Sequence, residues 1–512
     1  MNGEVGKLPN ASRCDAILCP PLTWNDQGKA VSDSNSTCLP CPENTEFYGH
    51  VMCGVAANKE KEILDKLFIE TGGPYWNKTH DNWMKPGVPI CSREGVICRA
   101  GSTDSGVDEL RLQNVGMQGE IPSEIWQLPY IRSLGFTNNA VDISFSGIEQ
   151  ATTLRVLKLS NCQLRDLEGL QNAPSSLSEI HLAQNQLDGT IPSEIFLLEH
   201  VAKIFLNNNN FGGRLSPDVG KMKAMVEMWL WDNQLTGVLP SEIGLMTALQ
   251  RFDVSMNSMS GAIPSELERL INLRKLNLGG QTGKGNFEGP LPAFADSPFL
   301  TDVDFSGNSF SGWLPPSFLA KVDPGSQITA DLSMNQFEGP IPEAWSRFES
   351  LNVDLSGNMI SEIPQDLCNN NGWNNELVGL LGTCDAILCK PGSYLPQGRQ
   401  TEVTQPCITC PDGEASAPFF GSRSCLDPKL RAERQILTDF YQATNGTNWL
   451  IQINWLSEYP TCSWYGVTCN DNGFVQELSL ANNHLTSTGD GSGAIPLIFS
   501  LSELTVRIKS ES

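Results

Sequence analysis

Apolar and polar positions along the middle of the chain repeat with a period of about two dozen residues. The stretch from Met225 to Leu270 contains a 24-residue unit followed by most of a second one. Apolar residues fall at unit positions 1, 4, 6, 11, 15, 19 and 22, with Asn at position 9, Gly at 13 and Pro at 16. Side chains alternate between the two faces of a strand, so positions 3 to 7 predict a short strand with inward residues at 4 and 6. A fixed period of this length predicts stacked repeats of one structural unit.

A single unit of this kind cannot fold alone. Its seven or so inward side chains contribute roughly 1.5–3 kcal/mol each when fully buried. Ordering the backbone of its residues costs roughly 1–2 kcal/mol per residue, which is comparable or larger in total. Stacking buries the faces of each unit against its neighbours. Asn233 and Asn257, at position 9, are expected to satisfy buried backbone groups at a turn and to form part of a ladder through the stack.

The second half of the unit, Leu-x-Gly-x-Ile-Pro, recurs in register along the chain. It is spelled L-D-G-T-I-P (187–192), L-T-G-V-L-P (235–240), M-S-G-A-I-P (259–264) and F-E-G-P-I-P (337–342). With Leu-x-x-Leu-x-Leu-x-x-Asn before it, the unit resembles the plant-type extracellular leucine-rich repeat family. This resemblance implies an α/β solenoid, a right-handed superhelix whose parallel strands line a concave, ligand-facing surface.

Segments outside the repeats occur twice, about 370 residues apart. C-D-A-I-L-C stands at 14–19 and 384–389, the helical stretch 60–76 parallels 433–449, and C-S-R-E-G-V-I-C (91–98) parallels C-S-W-Y-G-V-T-C (462–469). The helical stretch with its Cys-x6-Cys resembles the N-terminal cap of plant-type leucine-rich repeat proteins. The resemblance implies disulfides Cys91–Cys98 and Cys462–Cys469. Arg93 stands where that family usually has Trp, which leaves the packing of the first cap open.

These segments predict a division of the chain into seven parts. The expected parts are a remnant of a preceding solenoid or linker (1–13), a first cysteine-rich module (14–56), a first cap (57–106), about eleven repeats (107–370), a C-terminal flank with a second cysteine-rich module (371–427), a second cap (428–473) and the start of a second repeat array (474–512). The absence of an N-terminal signal sequence and the unfinished second array lead us to expect an internal segment of a longer tandem-repeat or membrane-anchored protein.

The cysteines indicate an oxidising compartment. There are 16 in 512 residues, most of them outside the repeats, as in secreted disulfide modules. Six of them, which can all pair, are Cys368, Cys384, Cys389, Cys407, Cys410 and Cys425. Cys38/Cys41 and Cys407/Cys410 form Cys-x-x-Cys pairs, for which redox or zinc chemistry is the weaker alternative to structural disulfides. Glycosylation sequons stand at Asn10, Asn35, Asn77 and Asn445.

Charge and motifs exclude several functions. The net charge of -24 argues against nucleic acid and anionic membranes as partners. No apolar run approaches the roughly 20 residues needed to cross a bilayer. The five histidines form neither a His-Glu-x-x-His motif nor a catalytic elbow. We therefore expect no enzyme activity, no cofactor and no metal.

The outward residues of the strands are the candidate binding residues. Large aromatic residues flanked by charges are typical of binding hot spots, although they can also pack on one another across strands. The candidates on the concave face are His181, Lys203, Phe205, Glu227, Trp229, Trp231, Asp232, Arg251 and Asp253. Further along, position 5 reads Asp253, Asn277, Asp304, Asp331 and Asp354, which predicts either an acidic stripe for a basic partner or Ca²⁺, or the more common solvated face.

The sequence thus predicts a non-catalytic recognition protein of the extracellular space or cell surface. Its ligand would be a protein, a peptide or a glycan bound on the concave face. The resemblance extends to ectodomains of receptor-like proteins and to secreted inhibitors, between which the sequence does not decide. A structural alternative is an adhesion or matrix protein in which tandem modules act as spacers.

Overall fold

The computed structural model describes most of the chain from residue 54 to residue 483. The described ranges are 23–24, 39–40, 54–77, 82–85, 88–102, 106–282, 285–411, 413, 417, 419–425, 428–456, 461–469, 475–480 and 483. These residues belong to two units, which we name the N-terminal unit (1–188 and 192–210) and the C-terminal unit (189–191 and 211–512). The predicted array 107–370 has strands in both units, and its predicted boundaries stay a prediction.

The N-terminal unit contains a capping helix and six sheet strands. Helix α1, Gly54–Glu70, buries Ile63, Leu64, Leu67 and Phe68. The strands are, in order across the sheet, Val96–Cys98, Val107–Arg111, Ser133–Gly135, Val156–Lys158, Glu179–His181 and Lys203–Phe205. The first pair is antiparallel and the others are parallel. Each repeat therefore adds one strand to the sheet.

The C-terminal unit contains six parallel strands of the repeats. They are Glu227–Trp229, Arg251–Asp253, Lys275–Asn277, Asp302–Asp304, Gln327–Asp331 and Ser350–Asp354. Equivalent residues pair in register across successive strands. The central residue of each three-residue strand is buried while its neighbours are half-buried or exposed. Positions 3 and 5 of these repeats therefore face away from the core on what we name the sheet face.

Most repeats continue with a short lateral strand and a 3-10 helix. The lateral strands are Gln118–Ile121, Ala140–Ile143, Gly212–Arg214, Gln234–Gly237, Ser258–Met259, Gly261–Ala262, Phe287–Gly289, Ser309–Trp313, Gln336–Pro340 and Met359–Glu362. The 3-10 helices of the repeats are Ser123–Gln127, Ile148–Gln150, Leu170–Asn172, Ser193–Leu197, Pro217–Lys221, Ser241–Leu245, Ser265–Arg269, Glu343–Arg347 and Gln365–Asn369. A proline stands at the N-cap of most of these helices, and its carbonyl accepts the bond that closes the first turn, as the Pro240 carbonyl does from Ile243 N–H.

A ladder of buried amides connects the repeats, as the sequence predicts. The Nδ2 atom of Asn257 donates to the carbonyls of Leu230, Val254 and Ser255, and its Oδ1 accepts from the N–H of Leu235. Equivalent bonds are made by Asn139, Asn185, Asn209, Asn233, Gln281, Asn308, Asn335 and Asn358. The ladder satisfies carbonyl and N–H groups that the turns would otherwise leave buried without partners.

A cysteine-rich module follows the last described repeat of the C-terminal unit. It contains α2 (Leu377–Leu381), the 3-10 helix Cys384–Ala386 and the antiparallel strands Ser393–Tyr394 and Ile408–Thr409. Asn374 bonds to the edge of the last strand, since its N–H donates to the Leu351 carbonyl and its Oδ1 accepts from Val353 N–H, while its Nδ2 donates to the Ala386 carbonyl of the module. The module thus bonds to backbone groups at the end of the repeats.

A second helical cap closes the described part of the C-terminal unit. It consists of α3 (Pro428–Ala443), the 3-10 helices Gly446–Asn448 and Thr461–Ser463, and the antiparallel strands Val467–Cys469 and Val475–Leu478. Trp449, Trp455 and Trp464 form its core with Tyr441. The first cap contains the 3-10 helices Gly73–Tyr75 and Ile90–Ser92, with Trp76 and Trp83 buried at the equivalent places. In the first cysteine-rich module two short strands, Thr23–Trp24 and Leu39–Pro40, are antiparallel.

In the first cap, Arg93 stands at the position where the family usually has tryptophan, and it forms an ion pair there. Its side chain is buried, a guanidinium nitrogen lies 2.7 Å from a carboxylate oxygen of Asp65, and the group lies 5.5 Å from the centre of the Trp83 ring. In the second cap the equivalent residue is the buried Trp464. The two caps therefore fill one position by different means.

Candidate functional site

On the sheet face of the N-terminal unit, His181, Lys203 and Phe205 lie together around Glu179. The Glu179 carboxylate lies 3.3 Å from His181 Nε2 and 3.2 Å from Lys203 Nζ. His181 and Phe205 pack edge to face with ring centres 4.5 Å apart. Burial would raise the pKa of Glu179, but hydrogen bonds with Lys203 and His181 hold it below its usual value. Burial lowers the pKa of His181, so the group is a neutral imidazole beside an ion pair at neutral pH.

On the sheet face of the C-terminal unit, two tryptophans stand two residues apart beside an ion pair. Trp229 and Trp231 are half-buried on this face. Large side chains standing side by side on a sheet cover part of one another's surface, which accounts for their partial burial. Arg251 lies 2.9 Å from Glu227 on the neighbouring strand. The remaining candidate, Asp232, is exposed and has a left-handed backbone.

Asp253 is engaged by its own repeat. Its Oδ1 accepts hydrogen bonds from the N–H and the hydroxyl of Ser255, and its Oδ2 accepts from Asn277. Burial raises the pKa of Asp253 above its usual value, although these hydrogen bonds act to lower it. The same Asp-x-Ser turn recurs at Asp304, Asp331 and Asp354. The repeated motif therefore has a local structural role in addition to its charge.

The cysteines of the second module form three disulfides. These are Cys368–Cys384, Cys389–Cys407 and Cys410–Cys425. Cys407 and Cys410 are thus divided between two disulfides, and neither thiol is available to a zinc ion or to a redox pair within Cys-x-x-Cys. Cys91–Cys98 and Cys462–Cys469 are joined within the caps. The pair Cys38/Cys41 lies outside the described residues.

Comparison with known proteins identifies the second cap. A family model described as "Leucine rich repeat N-terminal domain" matches residues 430–470. Residues 430–470 are a leucine-rich repeat N-terminal domain, and the fold is a leucine-rich repeat solenoid. The resemblance predicted from the repeats is confirmed. No curated protein sequence matched the chain.

Several solved leucine-rich repeat structures are similar to this chain. One is the ectodomain of the Arabidopsis receptor kinase HAESA, solved with an N-terminally extended IDA peptide hormone (24% identity, 62% of this chain and 60% of that chain, TM-score 0.49). Another is PEPR1 with AtPEP1 (20% identity, 62% and 51%, TM-score 0.44). A third is a plant ice-binding protein (25% identity, 57% and 91%, TM-score 0.48). The chain thus spans between half and three-fifths of the length of the first two.

Aligning the repeats by their structure points to one further candidate residue, Met256, which the sequence alone did not suggest. Position 8 of the repeats has a left-handed backbone, and it is filled by residues such as Asn114, Asn161, Asn208, Gly280 and Gly307. Met256 occupies this position with φ 52° and is 50% exposed. Most repeats have Asn or Gly at this position, whereas four have Gln184, Asp232, Met256 or Met334; the methionines are the apolar deviations that the sequence offered as a signal. Met256 follows the strand next to Trp229, so it joins the candidate residues of this sheet face.

Two of the four predicted glycosylation sites lie among the described residues. Asn77 is exposed after the 3-10 helix of the first cap, and Asn445 is half-buried with a left-handed backbone. Asn10 and Asn35 lie outside the described residues. No group of three or more metal-ligating side chains occurs among the residues that were described. Within the same residues, no helix has the length and apolar character to cross a bilayer. Cys162, a buried thiol in the ladder position of its repeat, has its pKa raised by burial to about 11.

Proposed function

We propose that the chain is a non-catalytic recognition protein of the extracellular space or cell surface, whose sheet face binds a protein, a peptide or a glycan. The observation that carries this proposal is the pair Trp229 and Trp231. Both lie half-exposed on one face of a regular sheet, beside the Glu227–Arg251 ion pair. Aromatic residues with charged neighbours supply most of the binding energy in many interfaces.

The setting of this face supports a binding role. The backbone under it is fixed by the parallel strands and by the amide ladder, so no backbone has to be ordered when a partner binds. The second patch, with His181, Lys203 and Phe205, has the same combination of an aromatic ring and an ion pair. An extracellular location is supported by five disulfides among the described residues, because such bonds persist in oxidising compartments.

The test compares two tryptophan variants of the full chain. The double variant Trp229→Ala/Trp231→Ala removes the aromatic pair of the sheet face. The control Trp313→Ala removes a tryptophan that is 69% exposed on a lateral strand instead. Each protein is produced in an oxidising host, checked for folding by circular dichroism and thiol counting, and used to capture partners from extracellular extracts by cross-linking.

We expect the sheet-face variant to lose the partner that the wild-type chain and the Trp313→Ala control retain. Removal of two anchors of this size weakens binding by about 1.4 kcal/mol or more, which is a factor of ten or more. Retention of every partner by the folded double variant would contradict the proposal. That result would favour the structural alternative, which the second cap at 430–470 supports, because it starts another repeat module in the same chain.

A further inference from the structure

Within the C-terminal unit, a cleft of about 560 Å³ lies between the lateral strands of the repeats and the second cap. One wall consists of residues from the lateral strands, and the other consists of the cap segment 450–453 with Tyr465. We name this space the lateral cleft. We propose that it binds a neutral β-linked glucan chain, one sugar ring of which lies against Trp313 beside the cleft. The residues of this site are not those of the sheet face, so the proposal goes beyond the proposed function.

The wall formed by the repeats is polar and almost uncharged. Its polar residues are Ser260, Asn286, Glu288, Ser309, Ser311 and Gln336. Ser260, Ser311 and Gln336 make no side-chain hydrogen bond to another described residue, and hydroxyl and amide groups can both donate and accept. None of the described residues that line the cleft is Lys or Arg, and Glu288 is acidic. These groups suit a ligand with many hydroxyls and disfavour an anion.

The wall formed by the second cap is apolar where the first cap is polar. Aligned on the shared tryptophan and on Cys-x6-Cys, Leu450, Ile451 and Tyr465 of the second cap stand where the first cap has Asn77, Lys78 and Glu94. All three of these second-cap residues line the lateral cleft. Leu450 is 66% exposed, so it is not needed for the core of its own cap. An apolar wall opposite a polar one suits a pyranose ring, which has C–H groups on its faces and hydroxyls at its edge.

Trp313 provides an aromatic surface next to the cleft. It stands two residues beyond Ser311, about 6.6 Å along the strand Ser309–Trp313. A methyl group placed on Gly339 would lie 3.2 to 3.3 Å from three atoms of the five-membered ring of Trp313, so one face of the indole covers this glycine. The side chain is 69% exposed, which leaves the opposite face open to solvent. The electron-rich face of an indole attracts the C–H groups of a sugar.

The length of the cleft favours a chain of sugars over a single one. Its lateral wall includes residues of five successive repeats, and the lateral strands of these repeats pair in parallel. Strands about 4.8 Å apart give a wall about 19 Å long. In a β-linked glucan the ring hydroxyls are equatorial, so both faces of each ring carry only C–H groups. Such a chain offers flat apolar faces to the indole and to the cap, and hydroxyls to the serines and Gln336.

The experiment measures binding of oligosaccharides to the full chain by isothermal titration calorimetry. The ligands are cellohexaose and laminarihexaose, which differ in the position of the β-linkage, with glucose as the single sugar and hexagalacturonic acid as an acidic chain of the same length. The variants are Trp313→Ala, Trp313→Phe and Leu450→Asn, the last of which introduces the residue of the first cap. The matched control is Leu380→Asn, because Leu380 is 71% exposed on α2 and does not line the cleft.

We expect at least one of the two glucan hexasaccharides to bind, and glucose and hexagalacturonic acid to bind about tenfold more weakly or less. Trp313→Ala should weaken glucan binding about fivefold or more, the size of an aromatic contact. Trp313→Phe should weaken it less, because a flat ring remains. Leu450→Asn should also weaken it without lowering the thermal midpoint, because the side chain is exposed. Leu380→Asn should bind like the wild-type chain.

Several results would overturn the inference. They are no binding of either glucan, equal binding of hexagalacturonic acid, and equal affinities of Trp313→Ala, Leu450→Asn and Leu380→Asn. A peptide or protein that needs Leu450 for binding, in a chain that binds neither glucan, would assign the cleft to another class of ligand and would also contradict the inference.

Crossed variants separate this site from the sheet face. Trp229→Ala/Trp231→Ala should lose the partner of the sheet face and keep the glucan, whereas Trp313→Ala should lose the glucan and keep that partner. A glucan lost in Trp229→Ala/Trp231→Ala and kept in Trp313→Ala would bind on the sheet face. That result would overturn the inference and support the proposed function.

Discussion

Asn257 shows how one side chain holds two repeats together. Its amide makes four hydrogen bonds to backbone groups of its own repeat and the preceding one, and it is fully buried. Truncating it does not merely remove four bonds. The three carbonyls keep other donors, which are Asn233 Nδ2, Gln281 Nε2 and the N–H of Asp232. The N–H of Leu235, however, loses the amide oxygen that accepts from it in a buried place, and an unsatisfied buried group costs more than a hydrogen bond contributes.

We therefore predict that Asn257→Ala lowers the free energy of unfolding by about 3 kcal/mol, within the range for buried polar groups left unpaired. Asn272→Ala, at an exposed asparagine that bonds to one carbonyl, should cost about 0.5 kcal/mol or less. Urea denaturation followed by tryptophan fluorescence measures both. A similar loss in the two variants would mean that the ladder does not stabilise the stack.

At the scale of the strand, Asp304, Asp331 and Asp354 form an acidic row at position 5 of successive repeats. Their burial sets the direction in which the stability of the fold changes with pH. The pKa of Asp331 is raised above its usual value by burial and by the neighbouring carboxylates. A carboxyl group with a raised pKa in the folded state favours folding more as pH falls through that pKa. The contribution of Asp331 to the free energy of unfolding therefore decreases as the pH rises to neutrality.

Asp331→Asn removes the charge and keeps an oxygen that can accept from Ser333. We predict that the variant is more stable than the wild-type chain at pH 7 by about 0.5 kcal/mol, the size of a like-charge contact between strands. The difference should shrink as the pH is lowered below the raised pKa, because the wild-type carboxyl then becomes neutral as well. Denaturation at pH 7 and pH 4 measures it, with Asp366→Asn as the control. A constant or growing advantage at low pH would contradict the assignment.

The repeats could be predicted from the sequence because their causes are local. Seven apolar positions, one Asn and one Pro recur at fixed spacing, and each acts within its own repeat or on the next one. The half-burial of Trp229 and Trp231 depends on side chains of adjacent strands, which spacing alone does not reveal. Met256 has a left-handed backbone, which is unfavourable for a residue other than glycine. This free-energy cost becomes visible only when the backbone conformation of position 8 is known. The ion pair of Arg93 with Asp65 likewise required the contacts of α1.

At the scale of the molecule, a stack of repeats is least protected where it ends. Each repeat is stabilised by its neighbours, so an end repeat lacks one of them and opens first unless another element covers it. In the C-terminal unit this element is the cysteine-rich module, which bonds to the last strand through Asn374. The disulfide Cys368–Cys384 ties the module to the last repeat over a separation of 16 residues.

Removing that disulfide should therefore loosen the end of the stack before its middle. Closing a loop of this size contributes about 3 kcal/mol in the chain-entropy account. We predict that Cys368→Ser/Cys384→Ser increases amide hydrogen exchange most in strand Ser350–Asp354 and least in strand Glu227–Trp229. The control Cys462→Ser/Cys469→Ser opens a disulfide of the second cap and should leave Ser350–Asp354 protected. Equal loss of protection in all six strands would show that the sheet opens as one unit, because a stack coupled only between neighbours would lose protection progressively from its end.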